Sequence, residues 1–299
     1  MLTRRLALGV LLILAMAPGS ADAGEKVRIV ATFSILADLA RNVGGDAVEV
    51  AALVGPNGDA HAYAPAPADA RRLAAADLVL VNGLGFEGWI DRLVKASATK
   101  AAVVTVSSGI RPRRATDEDG HDGGRSDPHA WQSVTNAKIY VANIRDALVK
   151  CDPSRKASYE ANAAGYLARL DALEDEIKAT LTAIPAARRR IITTHDAFGY
   201  FAAAYGMQLI APQGVSTEAE VAARDIAKII RQIRAQKIPA VFMENVTDPR
   251  LMQRIAEESG AKIGGKLYSD ALSTPDGPAA TYVDMMRHNL KEFRDALAG

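Results

Sequence analysis

The residues with the clearest capacity for chemistry are a few histidines and one aspartate, spread far apart along the chain. There are five histidines in 299 residues. His61 lies in Gly58-Asp59-Ala60-His61, and His129 in Asp127-Pro128-His129-Ala130-Trp131. His195 lies in Thr194-His195-Asp196-Ala197-Phe198, and Asp270 in Tyr268-Ser269-Asp270-Ala271. Each falls in a loop next to a predicted strand or helix, and each half of the chain contributes two. A neutral imidazole is a good ligand for zinc and its neighbours in the first transition row, and a carboxylate oxygen can complete the shell. Three imidazoles and one carboxylate would saturate a tetrahedral site and leave a formal charge of +1 on a bound dication. Any one of these histidines alone reads more simply as a hydrogen-bonded loop residue. Their joint placement, two per half, is what points to a shared site. No short local motif links them, so only the fold could bring them together.

The elements that would have to do so are legible from periodicity. Val27–Thr32 reads as a buried strand, followed by a helix over Ile35–Val43 that ends at Gly44-Gly45. Val48–Val54 is a second strand closed by Pro56-Asn57-Gly58. A helix over Ala66–Ala76, a strand over Leu78–Val81 ending at Asn82-Gly83, and a fourth strand over Ala101–Val106 follow. The layout then repeats. Arg190–Thr194 matches Arg28–Thr32, Pro212-Gln213-Gly214 matches Pro56-Asn57-Gly58, and Asn245 follows Ala240–Met243 as Asn82 follows Leu78–Val81. The repeat's helices are expected over Tyr200–Tyr205 and Ala219–Gln236, and its last strand over Lys262–Leu267. Strands alternating with helices imply parallel sheets of right-handed βαβ units. Between the halves, Asp152-Pro153 starts a helical pattern of Tyr159, Tyr166, Leu170, Leu173, Ile177, Leu181 and Ile184. The expected fold is therefore α/β: two pseudo-symmetric (β/α) lobes with parallel sheets, 24–152 and 187–299, joined by one long connecting helix within 153–186. In open parallel sheets ligands bind beyond the carboxyl ends of the strands. Two such lobes facing each other would point the His61, His129, His195 and Asp270 loops into one cleft.

Composition narrows the classes. Hydrophobic residues make up 49% and charged residues 24%, as in ordinary globular proteins. A formal net charge of +1 and 5% aromatics give no bulk reason to bind nucleic acid. The single cysteine, Cys151, excludes an internal disulfide and a cysteine zinc ribbon. Residues 1–23 have a basic start at Arg4-Arg5, an apolar run over Leu6–Met16 and an Ala21-Asp22-Ala23 cleavage signal, the pattern of a secretory signal peptide. No cysteine follows the cleavage point, so no lipid anchor is expected there. A soluble exported monomer is expected. Several other residues have plain readings. His288 is taken as surface or packing, Trp89 and Trp131 as closing apolar lobe edges, and Cys151 as a small packing residue whose thiol could dimerise if exposed. Glu244 could orient a ligand imidazole or form a simple salt bridge, with Asp59 and Asp196 as comparable candidates.

Across the whole mature chain the sequence resembles the periplasmic metal-binding proteins of zinc and manganese ABC transporters, the ZnuA/TroA-like, cluster A-I group. The resemblance rests on Ala31-Thr32-Phe33-Ser34-Ile35-Leu36, Leu53–His61, Asn82–Trp89, Asp127–Trp131, Thr194–Tyr200 and Tyr268–Leu272. It implies a metal in the cleft between two lobes, with the four ligand positions at His61, His129, His195 and Asp270. It also implies capture of Zn²⁺ as transported ligand in the periplasm and delivery to an inner-membrane ABC permease, with a metallochaperone as a further candidate partner. Manganese-type members often carry Glu at the third position, where this chain has His195. That resembles the zinc type, with a manganese-selective protein as the alternative.

A zinc-dependent hydrolase is the rival from another class. It would keep an open water position and a nearby base, and no base motif accompanies these histidines. A surface adhesin would need a repeat or anchoring segment, which the sequence does not supply. The sequence departs from many zinc-type members at 115–124, an acidic stretch with one histidine, His121, where they carry a long His-rich loop. Deleting it is expected to change zinc affinity little. Alanine at any of the three histidines is expected to cost more affinity than Asp270→Ala.

Overall fold

The computed structural model describes residues 25–115, 125–218 and 221–297. The signal peptide expected at 1–23 and nearly all of the 115–124 stretch lie outside the described residues. The first lobe runs β1 (Val27–Phe33), α1 (Ser34–Gly44), β2 (Val48–Val54), α2 (Pro67–Ala74), β3 (Leu78–Val81), α3 (Ile90–Ser97), β4 (Ala102–Thr105) and α4 (Val134–Cys151). The connector α5 (Lys156–Thr182) follows. The second lobe runs β5 (Arg190–Ile192), α6 (Gly199–Tyr205), β6 (Gln208–Ile210), α7 (Ala223–Gln236), β7 (Ala240–Glu244), α8 (Arg250–Ser259), β8 (Lys262–Leu267) and α9 (Tyr282–Leu297).

The duplication read from the sequence is a duplication of topology. The first sheet has the order β2-β1-β3-β4 and the second β6-β5-β7-β8, all neighbours parallel. β3 is buried at every position, as expected of a continuous Leu-Val-Leu-Val run covered on both faces. The second sheet has one irregular joint. In the β7–β8 pair the register slips between Val241 and Met243, so that Met243 meets Lys266. Gly264 and Gly265 absorb the slip: a Cβ on Gly264 would lie 2.6 Å from the Phe242 ring, and Gly265 sits at φ 130. Bulges re-aim the residues beyond them, and here those residues are Glu244 and Asp270.

Two helix starts differ from the sequence reading by three or more residues. The Asp152 carboxylate accepts hydrogen bonds from the Ser154 hydroxyl (2.5 Å), Arg155 Nη1 (2.8 Å) and the Tyr159 hydroxyl (2.9 Å). Pro153–Arg155 is thereby held in a tighter 3₁₀ turn, and the long helix proper starts at Lys156. The helix expected from Ala219 starts at Ala223, after an extended Ala222.

At 27 residues α5 spans about 40 Å. Its buried apolar face is Tyr159, Ala163, Tyr166, Leu170, Leu173, Ile177 and Leu181, at the expected helical spacing. It packs against α4 and α1 of the first lobe and α9 of the second. Each large apolar side chain buried this way stabilises the fold by about 1.5–3 kcal/mol. The main apolar core runs without a break from the first sheet through α5 to Phe198, Phe201 and Phe293, and a smaller cluster lies under α7 and α8. Polar bonds reinforce the junction. Trp131 Nε1 (2.9 Å) and Gln132 Nε2 (2.7 Å) donate to the Ser269 carbonyl, and the Tyr282 hydroxyl donates to the Trp131 carbonyl (2.7 Å). Trp131 is thus fully buried between the lobes rather than closing an edge. A shared core and a rigid helix oppose wide hinge opening, so ligand exchange falls to local movements of loops.

Candidate metal centre

Each of the four residues picked out by type is held by its own local structure. His61 follows β2 in a turn whose Asp59 Oδ1 accepts the backbone N–H of His61 (2.9 Å). The indole N–H of Trp89 donates to the Ala60 carbonyl (2.8 Å), and the His61 ring stands edge-on to Phe86. His129 precedes α4. Asp127 Oδ1 meets both its backbone N–H (3.0 Å) and its Nδ1 (2.9 Å). His195 follows β5. Its Nδ1 lies 2.6 Å from Glu244 Oε2, close but out of line for a hydrogen bond, while Glu244 Oε1 accepts the backbone N–H groups of Thr194 (2.7 Å) and His195 (3.0 Å). Asp270 follows β8 and is anchored from the first lobe through Ser269.

The structure brings all four together. One ligand atom from each lies within 4.8 Å of the others. His61 Nε2 is 3.2 Å from His129 Nε2 and 3.4 Å from Asp270 Oδ2. His195 Nε2 is 3.1 Å from Asp270 Oδ2, and His129 Nε2 is 3.5 Å from Asp270 Oδ1. A tetrahedron of nitrogen and oxygen donors about 2.0–2.1 Å from zinc has edges of about 3.3–3.4 Å, so these separations suit a single small cation. His129, His195 and Asp270 are fully buried, and His61 is 6% exposed. With carboxylates at their Nδ1 atoms, His129 and His195 turn Nε2 inward as the ligand atom. Asp270 Oδ1 is buried without a hydrogen-bond partner. An orphaned buried carboxylate oxygen is costly, and a cation at this point would satisfy it together with the inward Nε2 atoms.

The electrostatics agree. Burial pushes the His195 imidazolium down, but the Glu244 and Asp270 carboxylates outweigh it and leave the pKa well above the ordinary histidine value. Burial pushes the Asp270 carboxyl up, and the His195 and His129 rings more than reverse that, holding it well below the usual carboxylate range. Burial lowers His61.

Of the accessory candidates, Glu244 and Asp59 touch the site as described. Asp196 instead lines a cavity of about 590 Å³ with Arg113, Arg224 and Lys228. Sequence reasoning missed Asp127. An aspartate two residues before a histidine, with proline between, is an Asx-turn signal that could have marked it. Trp89 lies near Tyr63 and braces the His61 turn. His288 Nε2 meets the Lys266 carbonyl at 2.9 Å, away from the site. Cys151 is exposed, not packed.

A buried cluster of three histidines and an aspartate, set between two parallel-sheet lobes that a rigid helix joins, defines a metal-binding substrate-binding protein of the ABC-transporter type. The chain belongs to the family described as "Zinc-uptake complex component A periplasmic", which matches residues 29–296. It is 35% identical over 265 residues to the iron-binding protein YfeA of Yersinia pestis, covering 89% of this chain and 84% of that one. It is 36% identical over 280 residues to the manganese-binding lipoprotein MntA of Halalkalibacterium halodurans, covering 94% and 91%. Among solved structures it is similar to the periplasmic zinc binding protein TroA from Treponema pallidum, with a TM-score of 0.85, 31% identity, and coverage of 91% and 99%. The names of these relatives thus span three metals. A substrate-binding component of this kind implies a permease partner, and no helix among the described residues is long and apolar enough to cross a membrane.

Proposed function

We propose that His61, His129, His195 and Asp270 hold one divalent transition-metal ion, and that the cargo is zinc, captured in the periplasm and passed to an inner-membrane ABC permease. The observation that carries this reading is the convergence of three imidazole Nε2 atoms and a carboxylate within 4.8 Å, fully or nearly buried. Three nitrogen donors favour zinc over manganese on softness and on the order of divalent affinities. Four protein donors leave no open position for a water nucleophile, which separates this site from a hydrolytic zinc centre. The relative MntA is named a lipoprotein; this sequence has its single cysteine at position 151.

Manganese is the second reading, because a relative 36% identical is named for it. Any nitrogen–oxygen site binds zinc more tightly than manganese at equilibrium, so affinity alone does not name the cargo. The deciding experiment is the metal content of protein isolated from its native compartment, with competitive zinc and manganese titrations beside it. One zinc per chain in the isolated protein supports the proposal, and the titrations report whether the site takes each metal. Manganese in the isolated protein overturns the zinc assignment, and a chain that binds neither metal overturns the site.

A further inference from the structure

The four candidate ligands are not equally secured. His129 and His195 each have a carboxylate against the far ring nitrogen, and the Asp270 segment is pinned by Trp131 and Gln132. Among the described residues nothing hydrogen-bonds the Nδ1 of His61. This ring is also the one with solvent exposure, and it lines a cavity of about 190 Å³ with Gly85, Ser126, Pro128 and Val215. The His61 turn is therefore the least buttressed wall of the site and the one nearest solvent.

The opposite lobe holds that turn shut. The Thr217 hydroxyl donates to Asp59 Oδ2 at 2.6 Å, while the other oxygen of the same carboxylate holds the His61 backbone. Thr217 lies in a loop that leaves the site itself: Gln213 pairs with His195 in a short parallel bridge, and Gln213 Nε2 donates to the Thr217 carbonyl (2.8 Å). Val215, in the same loop, walls the cavity. A second cross-lobe grip lies upstream, where Asn57 N–H donates to the Leu272 carbonyl (2.9 Å), just past Asp270. One side of the His61 loop is thus tied to the Asp270 segment and the other to the His195 segment.

We propose that the Thr217–Asp59 hydrogen bond is the latch that sets how fast metal enters and leaves, by holding the His61 turn closed from the opposite lobe. Thr217 is a positioning residue, because it acts through Asp59 on His61 and touches no metal. The proposal rests on the reading of the four residues as metal ligands. Since the shared core opposes wide lobe opening, freeing this one turn is the smallest movement that uncovers the ion. A hydrogen bond to a carboxylate is stronger than a neutral one, so its loss should be read in the rate of exchange.

The test uses the full protein loaded with one equivalent of zinc and then mixed with excess chelator, with release followed by stopped flow. Thr217→Val should release zinc about tenfold faster, equivalent to about 1.4 kcal/mol. Thr217→Ser should keep the wild-type rate. The absorption spectrum of the Co²⁺-loaded protein should be the same in all three, because the ligand set is untouched. Equal rates for Thr217→Val and wild type overturn the latch, as does a Thr217→Ser protein as fast as Thr217→Val, or an altered cobalt spectrum. A wild-type protein that takes up neither zinc nor cobalt overturns the site reading, and the latch with it.

Discussion

Replacing Glu244 with glutamine removes one oxygen's charge and almost no volume, yet the geometry makes it severe. Glu244 Oε1 is fixed by two backbone donors, Thr194 N–H at 2.7 Å and His195 N–H at 3.0 Å. The glutamine carbonyl must take that place, which puts its amide nitrogen where Oε2 was, 2.6 Å from His195 Nδ1. An amide N–H can only donate. An N–H on Nδ1 would then face another N–H at that distance, so a neutral ring keeps its proton on Nε2, the atom facing Asp270. With metal on Nε2 the remaining ring proton must return to Nδ1 against the amide, and the carboxylate behind the ring is lost. Loss of such partners costs about 10–100-fold in metal affinity, or about 1.4–2.7 kcal/mol. Asp127→Asn should be milder. Both contacts to His129 go to a single oxygen, Oδ1, so an asparagine carbonyl can keep both and turn its amide aside. Its loss should stay within about tenfold. Zinc titration against a competing chelator reads both variants. A Glu244→Gln protein within twofold of wild type, or one that binds better than Asp127→Asn, would refute the tautomer reasoning.

Four further outcomes are expected. With the His195 pKa raised by its two carboxylates, the metal-free site carries a proton that metal must displace, so affinity falls about tenfold per pH unit for each proton displaced as pH drops below that raised value. Calorimetry in buffers of different ionisation enthalpy would show the released proton. The same shift stabilises the metal-free fold fully below about pH 6.5, and this contribution is lost as pH rises through the raised value; thermal melts of chelated protein should follow that sign. Asp270→Ala should cost at least as much zinc affinity as any single histidine, the reverse of the order expected from sequence, because Asp270 is fully buried and its two oxygens face all three rings; chelator competition ranks the four variants. Trp131→Phe should destabilise the fold by about 1–3 kcal/mol in urea unfolding, through the lost cross-lobe N–H and buried area.

The repeat of strand, Pro-x-Gly turn and post-strand asparagine was legible because each is local: it depends on side-chain period and on turn chemistry within a few residues. So was the connector, whose apolar face recurs over seven turns. The helix starts at Lys156 and Ala223 were not legible. The first depends on the Asp152 carboxylate gathering Ser154, Arg155 and Tyr159, a contest between capping and helix extension that periodicity does not record. Residue types and family likeness named His61, His129, His195 and Asp270. Tertiary structure alone decided that their ligand atoms fall within 4.8 Å of one another, that Glu244 rather than Asp196 stands behind the His195 ring, and that Thr217 reaches across to Asp59. The physical reason is separation: these pairs lie tens to hundreds of residues apart, and no local preference of the chain encodes a distance that only two packed sheets, a shared core and a bulge at Gly264-Gly265 set.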